Sequence, residues 1–303
     1  MTTAFPGYRW IATVVAAFFG LTTSLLINPA LAGTDKPYEW KMGMQKAVTA
    51  VADEMADFHT LLLVIITVIV IFVALLLIWV MVAYNEKSNP TPSKTSHNTL
   101  IEVAWTVVPI LILVIIAIPS FRLLKHQYTY PKSDVVIKAT GYQWQWGYEY
   151  PDTGIDFISR ILEDDEIKKA KAAGEDVRRL LSVDNPIVVP VNKVVHVYLY
   201  SNDVLHNWTI PQFGVKMDAI PGSAKLVWFK AREEGTYYGQ CSEMCGARHA
   251  FMPIEVRVVS DDVYAKWLAA VKADPVKAKA LLVKAALDLK NKKKAKSVAA
   301  LTK

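Results

Sequence analysis

Five side chains in this 303-residue sequence have the types and spacing to hold a metal. Cys241, Cys245 and His249 fall four apart, Met252 follows three later, and the two cysteines are the only ones in the chain. His206 lies upstream, at the end of a short apolar run, Val204-Leu205-His206, that reads as a strand. Two thiolates, two imidazoles and a thioether form a soft donor set. Such a set favours copper, Cu(I) above all, over magnesium, calcium or manganese. A single-copper electron-transfer site uses one thiolate, two histidines and a weak axial methionine. The second cysteine therefore points to a second metal ion, with both sulfurs bridging. Two other chemistries stay open. The cysteines could form a disulfide in an exported domain, although this leaves His249 and Met252 unexplained. Cys241, Cys245, His206 and His249 could instead hold a tetrahedral zinc, but Met252 is a poor zinc ligand and C-x3-C lies off the commonest spacing.

Elements able to position these residues follow from hydropathy. The mean hydropathy of +0.24 and the 53% of hydrophobic residues exceed those of an ordinary soluble domain. The excess is local. Leu61 to Ala83 is apolar apart from Thr67, and Val103 to Phe121 is broken only by Thr106, Pro109, Pro119 and Ser120. Each run is long enough to cross about 30 Å of hydrocarbon, so a two-helix transmembrane hairpin is expected over 59–126. Upstream, Arg9, an apolar stretch from Trp10 and the small-x-small pair Ala30 and Ala32 read as a secretory signal over 1–32, cleaved after Ala32. An uncleaved anchor is the alternative. Either way the 33–58 segment lies outside the cytoplasm, which puts both ends of the chain on the outer face and the short loop inside. Glu102 then stands at the cytoplasmic edge of the second span, either as an interfacial glutamate beside Trp105 or as a group for proton traffic.

From Ser133 the pattern changes to strands. Residues 135–140, 187–190, 194–200, 226–230 and 254–259 are β-branched or aromatic runs of strand length. They predict an antiparallel sandwich or barrel over 127–260. His196 alternates with Val194, Tyr198 and Tyr200 and reads as a satisfied sheet histidine. Strand alternation across 142–150 puts Tyr142, Trp144, Trp146 and Tyr148 on one side. These are core aromatics by default, though a tryptophan reaching the surface can lie on an electron route. Residues 162–181 are charged and helix-prone, a surface insertion broken at Gly174. The 261–303 stretch is a helical, lysine-rich tail, either solvated or lying on anionic lipid. From residue 271 onward it carries ten lysines against Asp274 and Asp288. That exceeds the net charge of the whole chain, +6, so the body is mildly acidic. A pI near 9.1 is thus no sign of nucleic-acid binding.

The chain resembles cytochrome c oxidase subunit II, in the proteobacterial form that is similar to the mitochondrial one. The resemblance covers roughly 50–265 and rests on Asp203-Val204-Leu205-His206, Asp218-Ala219-Ile220-Pro221-Gly222, Tyr237-Tyr238-Gly239-Gln240-Cys241-Ser242-Glu243 and His249-Ala250-Phe251-Met252-Pro253-Ile254. It implies a membrane-anchored, cupredoxin-like β-sandwich with a dinuclear copper A centre. Cys241 and Cys245 would bridge the coppers, and His206 and His249 would each end one. Met252 and the Glu243 carbonyl would be the weak ligands. It further implies a magnesium reached by the Glu243 carboxylate at the boundary with subunit I. Trp144 would be the tryptophan that receives electrons from cytochrome c, and Glu102 would stand at the mouth of a proton pathway of subunit I. The implied protein is the electron-input subunit of a proton-pumping terminal oxidase, associated with subunit I, other oxidase subunits, cytochrome c and lipid of a bacterial inner membrane. One departure stands out: Gly141-Tyr142-Gln143-Trp144-Gln145-Trp146 replaces the family's Gly-His-Gln-Trp-Tyr-Trp, so the residue after Trp144 is no longer aromatic.

Rival readings differ in what they need. A membrane-anchored copper chaperone or storage protein would share the ligands but has little use for Trp144 or Glu102. A nitrous oxide reductase copper domain normally accompanies a large propeller, for which there is no room. A quinol oxidase subunit II keeps the topology but lacks the copper ligands.

Overall fold

The computed structural model describes residues 43–301, with side chains through residue 295; the expected signal over 1–32 lies outside the described residues. Two long helices come first. α1 spans Ala50–Ala83 and α2 spans Thr99–Gln127, and both are long and apolar enough to cross a membrane. α1 begins within the 33–58 segment, ahead of the hairpin expected from residue 59, because Thr49 caps it. Its hydroxyl accepts from Ala52 N at 3.1 Å and donates to the Phe213 carbonyl at 2.8 Å. Asn98 caps α2 in the same way, accepting from the amides of Leu100 and Ile101. Pro109 and Pro119 sit inside α2 without ending it, as membrane helices allow.

The N-terminal end of α1 and the C-terminal end of α2 are tied to the domain that follows. Glu54 of α1 meets His126 of α2 at 2.9 Å. Arg232 bonds Asp53 at 2.6 Å, and Lys46 bonds Glu233 at 2.6 Å. Trp228 Nε1 donates to the Gln127 carbonyl at 3.1 Å. The start of the first helix and the domain are therefore held at one end of the hairpin.

That domain is a sandwich of two five-stranded sheets. One sheet holds β1 (Val135–Tyr142), β2 (Gln145–Tyr150), β3 (Ile155–Ser159), β5 (Val195–Ser201) and β8 (Lys225–Phe229), in the order β3-β2-β1-β5-β8. The other holds β4 (Ile187–Pro190), β6 (His206–Ile210), β7 (Val215–Ala219), β9 (Gly235–Cys241) and β10 (Pro253–Val259), in the order β4-β10-β9-β6-β7. The sheets are mixed rather than wholly antiparallel: β1 runs parallel to β5, and β4 to β10. Inward side chains alternate along β1 and β2. Trp146, Trp208, Phe213, Phe229 and Tyr237 fill the space between the sheets, with the Phe213 and Phe229 rings 4.5 Å apart. His196 is buried and its Nε2 donates to the Pro131 carbonyl at 2.8 Å, as expected of a sheet histidine.

The insertion forms α3, Asp164–Ala172, capped reciprocally by Glu163 and Glu166 and ended at Gly174, whose φ is +83°. Leu162, Ile167 and Val177 give it a small core of its own. The tail forms α4 (Asp261–Ala273) and α5 (Pro275–Leu301), which break at Pro275. It is not simply a solvated tail. Trp267 lies 5.6 Å from the Tyr150 ring, and Ala278 and Leu282 are buried with the sandwich core.

Candidate metal centre

The site lies where β6, the β1–β2 turn and the β9–β10 loop meet. His206 opens β6 rather than closing a strand, and its ring enters the fold beside Trp146, 5.9 Å away. A side chain at Gly141 would stand 2.6 Å from His206 Cδ2, so only a glycine leaves the imidazole its place. β6 and β9 approach so closely that a Cβ at Gly239 would sit 1.8 Å from the Thr209 carbonyl. This approach sets Trp208 opposite Cys241 and brings the upstream histidine to the downstream cysteines.

The loop returns on itself to supply the other donors. Ser242 N bonds the Asn207 carbonyl at 3.2 Å, a 3₁₀ turn covers His249–Phe251, and Cys241 N bonds the Met252 carbonyl at 3.3 Å. The Cys241 and Cys245 sulfurs end 3.8 Å apart, both as free thiols. Two sulfurs sharing ions at ~2.3 Å from each, at near-tetrahedral angles, would stand roughly this far apart; a disulfide would hold them at ~2.05 Å. His206 Nδ1 lies 4.0 Å from Cys241 Sγ, and His249 Nδ1 lies 3.4 Å from Cys245 Sγ. Met252 Sδ is 3.5 Å from Cys245 Sγ, and the Glu243 carbonyl is 3.3 Å from Cys241 Sγ. The ligand atoms of His206, Cys241 and Cys245 all fall within 4.8 Å of one another. His249 stands outside that group and joins it at the Cys245 end.

The site is charged unevenly. Burial pushes the Cys241 thiol up, but His206, the backbone at Asn207 and Glu243, and His249 outweigh it and bring it down to about 7. Burial, and then the charge on Cys241, push Cys245 up to about 12. The fold thus eases loss of the Cys241 proton and resists loss of the Cys245 proton, which a bound cation would have to displace.

Asp203, which the sequence offered only as part of the 203–206 stretch and without a role, orients the site. Its Oδ1 meets His206 Nε2 at 2.8 Å, which leaves Nδ1 as the imidazole nitrogen facing the sulfurs. Its Oδ2 accepts from Gln143 N at 2.7 Å. Burial raises the Asp203 carboxyl, and the bonds from His206, Val204 N and Gln143 N more than reverse that, so it lies below the usual carboxylate range. Burial lowers His206, while Cys241 and Asp203 raise it above the ordinary value. The sequence signal available was an acid three residues before a candidate ligand.

Trp144 departs from the strand expected through it. Tyr142 pairs with Gln145, so Gln143 and Trp144 form a two-residue turn. The turn resets the alternation: Trp146, Tyr148 and Tyr150 point inward, while Tyr142 shares the half-buried face with Gln145. Trp144 is left half-buried at the tip. Its Nε1 donates to the Cys245 carbonyl at 3.2 Å, as does Gln143 Nε2 at 2.9 Å. Glu243 has an exposed side chain, and Glu102 stands alone of the candidates, in the first turn of α2 at the loop end of the hairpin.

A cupredoxin-like sandwich carried on two apolar helices, with a buried Cys/His group at the loop end of its strands, defines a membrane-anchored, metal-binding protein. The comparisons agree. The periplasmic domain of cytochrome C oxidase subunit II matches residues 135–259, and the transmembrane domain of the same family matches 37–123. A probable cytochrome c oxidase subunit 2 of Rickettsia bellii is 45% identical over 246 residues, 81% of this chain and 89% of that one. Cytochrome c oxidase subunit 2 of Cereibacter sphaeroides is 42% identical over 269 residues, 85% of this chain and 89% of that one. Among solved structures, the periplasmic domain of subunit II of the Bradyrhizobium japonicum cytochrome oxidase shares 49% identity, over 48% of this chain and 97% of that one, with a TM-score of 0.43. The chain belongs to the cytochrome c oxidase subunit II family.

Proposed function

We propose that this protein is the electron-input subunit of a haem-copper terminal oxidase, taking electrons from cytochrome c and passing them to haem in subunit I. The observation that carries this reading is the pair of buried sulfurs 3.8 Å apart, flanked by His206 and His249. Four donors around one tetrahedral ion would all crowd together. Here His249 stands apart from the group that His206 forms with the two sulfurs, which favours two ions over one.

The residues fit a dinuclear copper A centre. Cys241 and Cys245 would bridge, His206 and His249 would terminate, and Met252 Sδ and the Glu243 carbonyl would be the weak ligands. Such a pair would supply one-electron chemistry, the unpaired electron of its oxidised form being shared between both ions. The protein's part is to hold the ligands still. Asp203 fixes the His206 ring, and the Cys241 amide and Trp146 indole both donate to the Met252 carbonyl. A site whose ligands do not shift costs little to reduce and reoxidise.

Trp144 would receive the electron. Its indole N–H leads through the Cys245 carbonyl and side chain to the sulfur. The half-exposed ring at the turn tip gives a donor protein direct access. The exposed Glu243 carboxylate suits a magnesium shared with subunit I. Glu102, at the loop end of the hairpin, suits the entrance of a proton pathway. With the domain on the periplasmic side of a bacterial inner membrane, both termini would lie outside and Glu102 on the cytoplasmic side. The expected boundaries, signal 1–32, outer segment 33–58, hairpin 59–126, copper domain 127–260 and tail 261–303, then form one exported, two-span subunit.

A copper chaperone must let another protein reach its metal. His206, Cys241, Cys245 and Met252 are exposed by 0%, 5%, 3% and 1%, which argues against that rival. Stopped-flow mixing of the copper-loaded protein with reduced cytochrome c tests the proposal. One electron per chain should be accepted rapidly; a protein that accepts none would sink the electron-input reading.

A further inference from the structure

The lysine-rich end of α5 lies outside the residues matched to the family, and nothing in the metal centre uses it. We infer that Lys290 and Lys294, four apart and so on one face of the helix, rest on the anionic headgroups of the membrane that α1 and α2 cross. The inference depends on the two-helix anchoring and not on the metal.

Its position follows from a chain of contacts. Lys293 Nζ donates to the Glu234 carbonyl at 3.3 Å. Glu234 adjoins Glu233, held by Lys46, and Arg232, which bonds Asp53 in the first turn of α1. Asp53 stands eight residues before the apolar run that begins at Leu61, or about 12 Å along a helix axis. The neighbouring Glu54 meets His126, five residues beyond the end of the second apolar run at Phe121, or about 8 Å. Headgroups extend roughly 5–8 Å beyond each side of the hydrocarbon. The level of Asp53 and Glu54 thus lies just above that zone, within a Debye length of about 8 Å.

The rest of the helix is arranged to keep it there. Ala278 and Leu282 are buried against the sandwich and fix its first half. From 290 to 295 every residue is exposed, and four of these six are lysines. Clusters of lysine beside a membrane helix are attracted to anionic lipid and not to neutral lipid. The docked helix would add a third point of attachment beside the two spans and limit rocking of the outer domain over the membrane.

Hydrogen exchange of the full chain in nanodiscs tests this, with phosphatidylcholine alone compared against a mixture containing phosphatidylglycerol. Amides over 286–295 should exchange about tenfold or more slowly in the anionic discs. The protection should vanish at about 1 M salt, where the Debye length falls to ~3 Å. It should also vanish in the K290A/K294A variant, whose thermal midpoint should match the parent protein. Equal exchange in both lipids would overturn the proposal, as would protection that survives the double substitution. Protection that appears only when other oxidase subunits are present would assign the lysines to a protein partner instead.

Discussion

The indole Nε1 of Trp144 donates to the main-chain carbonyl of Cys245 at 3.2 Å, so the tip of the β1–β2 turn is bonded directly to the metal loop. Gly246 lies beneath the ring; its φ is +118°, and a Cβ there would sit 3.1 Å from Trp144 Cζ2. The contact joins a surface aromatic to the sulfur through one hydrogen bond and a few covalent bonds. Replacing Trp144 by Phe keeps a ring and removes the donor. The metal spectrum should change little, while the rate of cytochrome c oxidation by the assembled oxidase falls by about tenfold or more, a rise of at least ~1.4 kcal/mol in the barrier. An unchanged rate would remove Trp144 from the electron route.

Asp203 predicts an effect on metal affinity. Without its carboxylate, the His206 ring is free to rotate or change tautomer. Asp203→Ala should weaken copper binding by about 10–100-fold, as loss of a supporting carboxylate usually does. Competition against a chelator of known affinity measures it directly. Asp203→Asn, which keeps an acceptor oxygen, should recover part of the loss.

Gly141 predicts a displaced ligand. The Cβ of Gly141→Ala would overlap the His206 ring, 2.6 Å from Cδ2, and neither strand can give way easily. The variant should lose about 1–3 kcal/mol of stability and show altered coupling at the His206 end, with both sulfurs still bound. Thermal unfolding and electron paramagnetic resonance together separate the two effects.

Glu255 predicts a purely structural loss. It is almost wholly buried, accepts from Arg257 Nε at 3.0 Å, and takes the Val183 amide at 3.1 Å, which ties the insertion to β10. Glu255→Ala leaves the Arg257 charge without its partner and should cost about 3–5 kcal/mol. Urea unfolding of the purified protein should show it, with the metal spectrum of the folded fraction unchanged.

Much of this was legible in the sequence because it was local. The two spans follow from continuous apolar runs. Cys241, Cys245, His249 and Met252 lie within twelve residues, so their spacing points to a soft metal site while a disulfide or a zinc site stays open. The strands at 135–142, 187–190 and 253–259 lie within two residues of their expected bounds. What was not legible depends on partners distant in sequence. The two-residue turn at 143–144 resets the side-chain alternation that continuous strand pairing would impose. Asp203 lies only three residues from His206, but its second anchor, the Gln143 amide, comes from the β1–β2 turn sixty residues away. The early start of α1 rests on Thr49 finding Phe213, and the docking of the tail rests on Trp267 finding Tyr150. No local pattern encodes these pairings.

The most direct test of the central claim is the electron paramagnetic resonance spectrum of the full chain purified with copper, taken with its metal content. The account predicts a pair of copper ions per chain and the hyperfine pattern of a single unpaired electron shared equally by two copper nuclei. A single copper with one nucleus in its spectrum, or one tightly held zinc and no signal, would contradict it.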